Sequence, residues 1–141
     1  MDILSAGAIK LRLISLVPPN LVGRWFASVA VGNPVHDDIA NAPPVKRELA
    51  IAIPVHYAIG VTLAFAYMIA SSAVGLSPKN PFTALGFGLL TNALPWLLMF
   101  PAMGYGWFGL HGPPKTRLFP SSFVTHFFYG VGLWLGASVL S

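Results

Sequence analysis

Long uncharged stretches dominate the pattern of hydrophobic and polar positions along the chain. Residues 49–78, 80–114 and 118–141 contain no Asp, Glu, Lys or Arg. A helix needs about 20 apolar residues to cross a hydrocarbon layer roughly 30 Å thick. The pattern therefore predicts three transmembrane helices, with bounds at 49–74, 82–105 and 121–140.

The N-terminal third has a different pattern. Residues 1–17 are mostly apolar but include Lys10 and Arg12, and Pro18-Pro19 ends the segment. This predicts an amphipathic or half-crossing N-terminal helix. Asn20 is expected to cap a short interfacial helix within a connector over 18–48. The predicted fold is an all-α integral membrane protein with one domain, residues 1–141, in which this fourth helix joins the three transmembrane helices.

Composition agrees with a membrane protein and excludes several functions. Hydrophobic residues make up 55% of the chain and charged residues 9%, whereas soluble domains carry about 25% charge. The chain has no cysteine, which excludes disulfides and thiolate chemistry. It also lacks a Ser-His-Asp constellation, a phosphate-binding loop and an HExxH pair, so we expect no enzymatic activity. The net charge of +4 comes without a basic patch among exposed aromatics, so no nucleic-acid partner is expected.

The positive charges predict the topology. Of the eight Lys and Arg residues, only Lys79 lies in the 75–81 loop. The positive-inside rule then places the connector 18–48 and the loop 106–120 in the cytoplasm, with the 75–81 loop and the C-terminus on the outer side of the cytoplasmic (inner) membrane. The predicted membrane-interface anchors are Arg24, Trp25, Lys46, Arg47, Lys115 and Arg117.

Two histidines lie within predicted spans. His56 and His126 each follow an arginine, Arg47 or Arg117, by nine residues, and the first and third spans run in the same direction. The two imidazoles are therefore expected at similar depth and facing each other. On the second span, residues 92, 95, 99 and 103 form one helical stripe whose methionines should reach the histidine layer, and Pro95 should kink the helix. The candidate ligand or interhelical polar site consists of His56, His126, Met99, Met103, Asn92, Tyr57 and Tyr129.

Three functions fit this layer. In the first, the polar side chains only bond across helices, and small residues allow close packing in an accessory subunit or a homo-oligomer within the lipid bilayer. In the second, His56 and His126 hold a metal, a haem or a quinone. In the third, a small transporter works as an oligomer, with Asn92 lining its path. The first of these functions is favoured, and no particular cofactor is favoured. The predicted helix-packing residues are Gly60, Ala64, Gly130, Gly132 and Gly136.

Several short motifs in order along the chain resemble one known family. They are Gly23-Arg24-Trp25, the His36 turn, Ala42-Pro43-Pro44-Val45 with Glu48, His56-Tyr57-Ala58-Ile59-Gly60, Pro101-Ala102-Met103-Gly104-Tyr105-Gly106 and the stretch His126 to Gly132. The chain resembles the bacterial membrane proteins grouped as domain of unknown function 2938. The resemblance implies a small polytopic protein with about four transmembrane helices and no established activity. It also implies that Met1-Asp2 stands partway along the family's first helix, which would be shortened here.

Overall fold

The computed structural model describes residues 16–113 and 116–139, and this part of the chain is helical, without strands. The predicted all-α class is confirmed for these residues. Short 3-10 turns at Ile39–Asn41 and Trp107–Gly109 lie in the connections. The four helices are α1 (Pro19–Ala30), α2 (Glu48–Ala73), α3 (Pro81–Ala102) and α4 (Leu118–Val139).

Several sequence predictions differ from the structure or concern residues that it does not describe. The N-terminal helix predicted over 1–17 lies outside the described residues except for its last two positions. The predicted anchor Lys115 also lies outside them. The short connector helix is present as α1, but it begins at Pro19 and is not capped by Asn20. A proline at the first helical position lacks the N–H that a cap would bind, and its φ already suits a helix.

Two of the described helices are long and apolar enough to cross a membrane. They are α2 and α3, and they correspond to the first two predicted spans. Helix α3 ends at Ala102, three residues before the predicted bound. Ile39 N–H donates to the Met103 carbonyl at 3.0 Å, so the connector occupies the position where the helix would continue. Helix α4, the third predicted span, has 22 residues but is not one of the two helices that meet this measure of length and hydropathy. Ser121, Ser122, Thr125 and His126 lie in its first half.

Helices α3 and α4 pack antiparallel and in close contact. A Cβ added to Gly88 would lie 2.6 Å from the Gly130 Cα, so the two backbones touch there. Further along, the Trp96 indole N–H donates to Ser122 Oγ at 2.7 Å. Helix α1 packs in the same manner on the start of α2, where Gly23 faces the Glu48 carbonyl. Only glycine permits backbone contact of this kind.

Two apolar clusters hold the helices together at opposite ends. The connector end is the end at which α2 and α4 begin, and the hairpin end carries the loop between α2 and α3. The cluster at the connector end comprises Leu21, Ile39, Phe100, Met103, Tyr105 and Leu118. The cluster at the hairpin end comprises Tyr67, Ala84 and Leu133, with Ala64, Phe87, Tyr129 and Trp134 packed against it. The second cluster contains residues of α2, α3 and α4, so these three helices meet there.

Candidate functional site

His126 is held by a hydrogen-bond chain between α4 and α3. Its Nδ1 lies 2.7 Å from Thr91 Oγ1, and the same hydroxyl lies 2.6 Å from the Gly88 carbonyl. A carbonyl can only accept, so the Thr91 hydroxyl donates its one proton to Gly88. It follows that His126 donates from Nδ1 to Thr91, which leaves Nε2 as the acceptor nitrogen of the neutral ring.

His56 lies on α2, which is bonded to α4 near both histidines. The Tyr129 hydroxyl donates to the Gly60 carbonyl at 2.7 Å. Gly60 follows His56 by one helical turn, and Tyr129 follows His126 by three residues, so this bond joins the two helices one turn beyond both imidazoles. His56 itself is exposed on α2, and the expectation that the two imidazoles face each other stays a prediction.

The two tyrosines beside the histidines have different surroundings. Tyr129 is half-buried between α4 and α2, and its hydroxyl forms the bond that links these helices. Tyr57 is 56% exposed on α2, and its ring meets the edge of His56 with centroids 5.9 Å apart. Tyr129 thus joins α4 to α2 through its hydroxyl.

The methionines do not reach the histidine layer, which corrects the predicted His and Met site. Met103 is fully buried in the cluster at the connector end with Leu118, and Met99 packs against that cluster. His126 follows Leu118 by eight residues, which is about 12 Å along α4. A π-helical segment at Pro95–Met99 breaks the 3.6-residue period on which the predicted stripe depended. The predicted irregularity at Pro95 is present in this form.

Asn92 lies wholly inside the protein, next to Thr91 at a turn within α3. Its exposed fraction is 0%, and its Nδ2 donates to the Leu89 carbonyl at 3.1 Å. Its Oδ1 has no hydrogen-bond partner. A cavity of about 640 Å³ opens at the connector, but Asn92 is not among its lining residues, which are Ser28, Asn33, His36, Asp37, Asp38, Asn41, Ala42 and Pro43.

The ligands available for a metal are few. Across residues 16–113 and 116–139 no three His, Cys, Asp or Glu side chains come together in a way that could hold a metal ion. A four-ligand structural site of the zinc type therefore does not form from these residues. His56 and His126 together offer two imidazoles.

An arginine at the connector end has a role that sequence reasoning missed. Arg24 was predicted to face lipid headgroups, but it is only 8% exposed. Its Nε donates to Glu48 Oε1 at 2.6 Å, and a terminal nitrogen approaches Glu48 Oε2 at 3.4 Å. The other terminal nitrogen meets the carbonyls of Ile39, Ala40 and Ala42 at 3.3, 3.2 and 2.9 Å.

This ion pair ties α1, the connector and α2 together. Glu48 Oε1 also accepts from the Val45 N–H at 2.9 Å, so the carboxylate closes the turn before α2. The two partners are 24 residues apart, and no local pattern links them. The available signal was Gly23 beside Arg24, because a glycine within a helix often marks a close approach by another backbone.

The other predicted anchors also differ in their surroundings. The Trp25 indole N–H donates to the Pro34 carbonyl at 2.8 Å, so it is satisfied within the protein. Lys46, Arg47 and Arg117 are exposed. Among the described residues, the pair of Arg24 with Glu48 is the salt bridge recorded.

Two polar groups are buried where the connector packs on the end of α3. The Tyr105 hydroxyl and His36 Nε2 are buried without a hydrogen-bond partner. Burial raises the pKa of Tyr105 and the Asp38 carboxylate raises it further, while Arg24 acts in the opposite direction. The phenol is therefore neutral near pH 7.

The glycines also divide into two groups. Gly130 packs against α3 as predicted, where an added Cβ would lie 2.9 Å from the Leu85 Cα. No atom lies within 4 Å of a Cβ built at Gly60, Gly132 or Gly136. The predicted close contacts at these three positions are absent within the described residues. The tight contacts at Gly23 and Gly88 had not been predicted.

These features define a small helical protein with two helices that could span a membrane and polar side chains bonded between helices. The chain belongs to the family described as Protein of unknown function (DUF2938), whose model matches residues 1–140. The resemblance inferred from the motifs is thereby confirmed. No curated protein and no solved structure matches the chain.

Proposed function

We propose that this protein is a non-enzymatic component of the bacterial inner membrane that acts by assembling, either with copies of itself or within a larger membrane complex. In this proposal α2, α3 and α4 cross the bilayer, and α1 lies at the cytoplasmic interface. The single observation that carries the proposal is the exposure of α2. Only 6% of its most apolar 18-residue window is buried, so lipid or another protein must cover the rest.

Large apolar side chains are exposed along most of the length of α2. Ile53, Val61, Phe65 and Ile69 are all more than half exposed. Burial of such groups is worth about 25 cal/mol per Å², and water would oppose leaving them bare. Some polar groups of the bundle, in contrast, bond across helices, as His126 and Tyr129 do. This arrangement suits packing between helices.

Two measurements test the proposal in sequence. Alkaline carbonate washing should leave the protein in the membrane fraction, and release into the supernatant would contradict membrane insertion. Light scattering of the protein in mild detergent should then give a protein mass well above 15.0 kDa. If the protein is strictly monomeric and copurifies with no other protein, assembly is contradicted.

A second candidate function is ligand binding by His56 and His126. It is supported by the hydrogen bond between Tyr129 and Gly60, which joins α4 and α2 one turn beyond His126 and His56. The imidazoles would serve as two axial ligands of a haem or as hydrogen-bond partners of a quinone. Optical spectra and metal analysis of the purified protein test this candidate. If the protein carries no chromophore and no metal, ligand binding at this layer is ruled out. Loss of stability in His126→Ala would not support it, because that substitution also removes the bond to Thr91.

A further inference from the structure

Helix α1 turns its charged residue toward the protein and carries an apolar strip on its outer side. Leu21 and Arg24 are buried against the protein. Val22, Phe26 and Val29 recur at i, i+4 and i+7, which places them together on the outer side. Val22 and Phe26 are partly exposed and Val29 is 40% exposed. A short helix with an apolar outer face is suited to lie in a membrane interface.

Two cations lie beside this helix. Gly23 of α1 contacts the backbone of Glu48, and Lys46-Arg47 immediately precede Glu48 in the chain. Both side chains are exposed. The acidic residue nearest to them in sequence, Glu48, is already bound by Arg24 and the Val45 N–H. Over residues 16–113 and 116–139 the salt bridge formed is that of Arg24 with Glu48, so Lys46 and Arg47 can offer their charges to an anionic group outside the protein.

We propose that the apolar strip of α1 and the Lys46-Arg47 pair together bind an anionic phospholipid of the cytoplasmic leaflet. The strip lies among the upper acyl chain carbons, and the two cations contact the headgroup phosphate and its neighbours. Charge complementarity and the apolar strip together select a lipid rather than a soluble anion. The proposal rests on membrane insertion, which belongs to the proposed function above.

Quenching of Trp25 fluorescence by brominated lipids measures this preference directly. Trp25 lies on α1 and becomes the single reporter when Trp96, Trp107 and Trp134 are replaced by Phe. The protein is reconstituted into vesicles of phosphatidylcholine and phosphatidylglycerol in which one or the other lipid is brominated. Each cation near an anionic surface strengthens binding about fivefold. With two cations we expect phosphatidylglycerol to be preferred over phosphatidylcholine by roughly tenfold or more around Trp25.

The test variant is Lys46→Gln/Arg47→Asn. Arg47 has φ of 62°, and asparagine tolerates this left-handed conformation better than most residues. The double variant should bring the preference close to one. The matched control Lys79→Gln removes a cation at the hairpin end and should leave the preference unchanged. Equal preference in the double variant and the parent, or an equal loss in the control, would overturn the proposal.

Two further readouts separate the alternatives. Raising the salt from 0.1 to 1 M shortens the Debye length from about 10 to about 3 Å, so the preference of the parent protein should fall without any substitution near the site. The chain contains no cysteine, so Val29→Cys can report contact between copies, and a disulfide-linked dimer would assign this face to a second copy instead. A protein that resists carbonate extraction but shows no preference would contradict only this inference. Extraction by carbonate would contradict the proposed function as well.

Discussion

Arg24 is the residue with the most connections at the connector end. Its guanidinium serves both oxygens of Glu48 and three backbone carbonyls. Planar geometry lets one arginine satisfy all of these acceptors, which a lysine ammonium could not reach together. The buried pair leaves an uncompensated charge if either partner is removed.

Replacement of Arg24 by Met is therefore expected to destabilise the protein by about 3–5 kcal/mol. The thermal unfolding midpoint in detergent, followed by circular dichroism, measures the loss. Arg24→Lys should recover little, whereas Arg24→Met/Glu48→Leu should be more stable than the single variant because no lone charge stays buried. The control Lys46→Met, at an exposed cation, should leave the midpoint unchanged. An Arg24→Met protein as stable as its parent would contradict the role of the ion pair.

Thr91 is the second residue with a connecting role. Thr91→Val keeps the volume but removes the acceptor for His126 Nδ1, and we expect a loss of about 0.6–1.7 kcal/mol, the range for hydrogen bonds between membrane helices. Thr62→Val is the matched control, since the Thr62 hydroxyl bonds only to the Ala58 carbonyl of its own helix. Unfolding midpoints of the two variants should differ, and equal midpoints would contradict a structural bond at Thr91.

At the scale of helices, contact between backbones decides how α3 and α4 pack. Gly88 and Gly130 have no side chains, so the two backbones can touch where the helices cross. The antiparallel pairing continues to Trp96 and Ser122. Helix α2 is attached differently. It packs on α1 at the connector end and meets the other two helices at Tyr67, Ala64 and the Tyr129 bond. Of the two candidate membrane-spanning helices, α2 is thus the less buried by the rest of the protein, so more of its apolar surface must be covered by something else.

Two glycines two residues apart provide a direct test of this packing. In Gly88→Ala the added methyl would meet the Gly130 Cα at 2.6 Å, whereas no atom lies within 4 Å of a Cβ at Gly86. We expect Gly88→Ala to cost about 1–3 kcal/mol through overpacking. Gly86→Ala should be neutral or stabilising by up to about 1 kcal/mol, because alanine favours the helix. Thermal unfolding of both proteins in the same detergent decides the matter, and a stable Gly88→Ala variant would contradict the close crossing.

At the scale of the whole molecule, α2 and α4 run in the same direction, because α3 is antiparallel to α4 and a short loop turns the chain back from α2 into α3. In the proposed function both helices cross the bilayer outward from the cytoplasm. The positions of the charges predict the same orientation, since Lys79 is the one cation between the first two predicted spans.

Single-cysteine labelling measures this orientation. Lys79→Cys should react with a membrane-impermeant maleimide added to intact cells, and Arg117→Cys should react only after the membrane is opened. The cysteine-free parent gives the background. Labelling of both positions from the same side would contradict the three-crossing arrangement and, with it, the shared level of His56 and His126.

The extent of prediction differs between the bundle and the site. Runs without charge located α2 and α3, whereas the common level of the histidines, inferred from their equal spacing from Arg47 and Arg117, stays a prediction. Met99 and Met103 were misplaced because an ideal helical period was assumed across Pro95. Gly132 and Gly136 form the expected spacing, yet a motif of small residues shows only that close approach is allowed, not that a neighbour is there.

The sequence alone determined the helical, apolar character of the chain, since hydrocarbon requires long stretches without charge and such stretches are visible residue by residue. Only the tertiary structure decided which polar groups meet. Arg24 and Glu48, or Thr91 and His126, are distant in the chain, and their pairing depends on where Gly23 and Gly88 let one backbone rest on another. Because these polar groups are shielded from water, each must bond to a partner inside the protein. The packing of the helices, rather than any local sequence pattern, determines which partner that is.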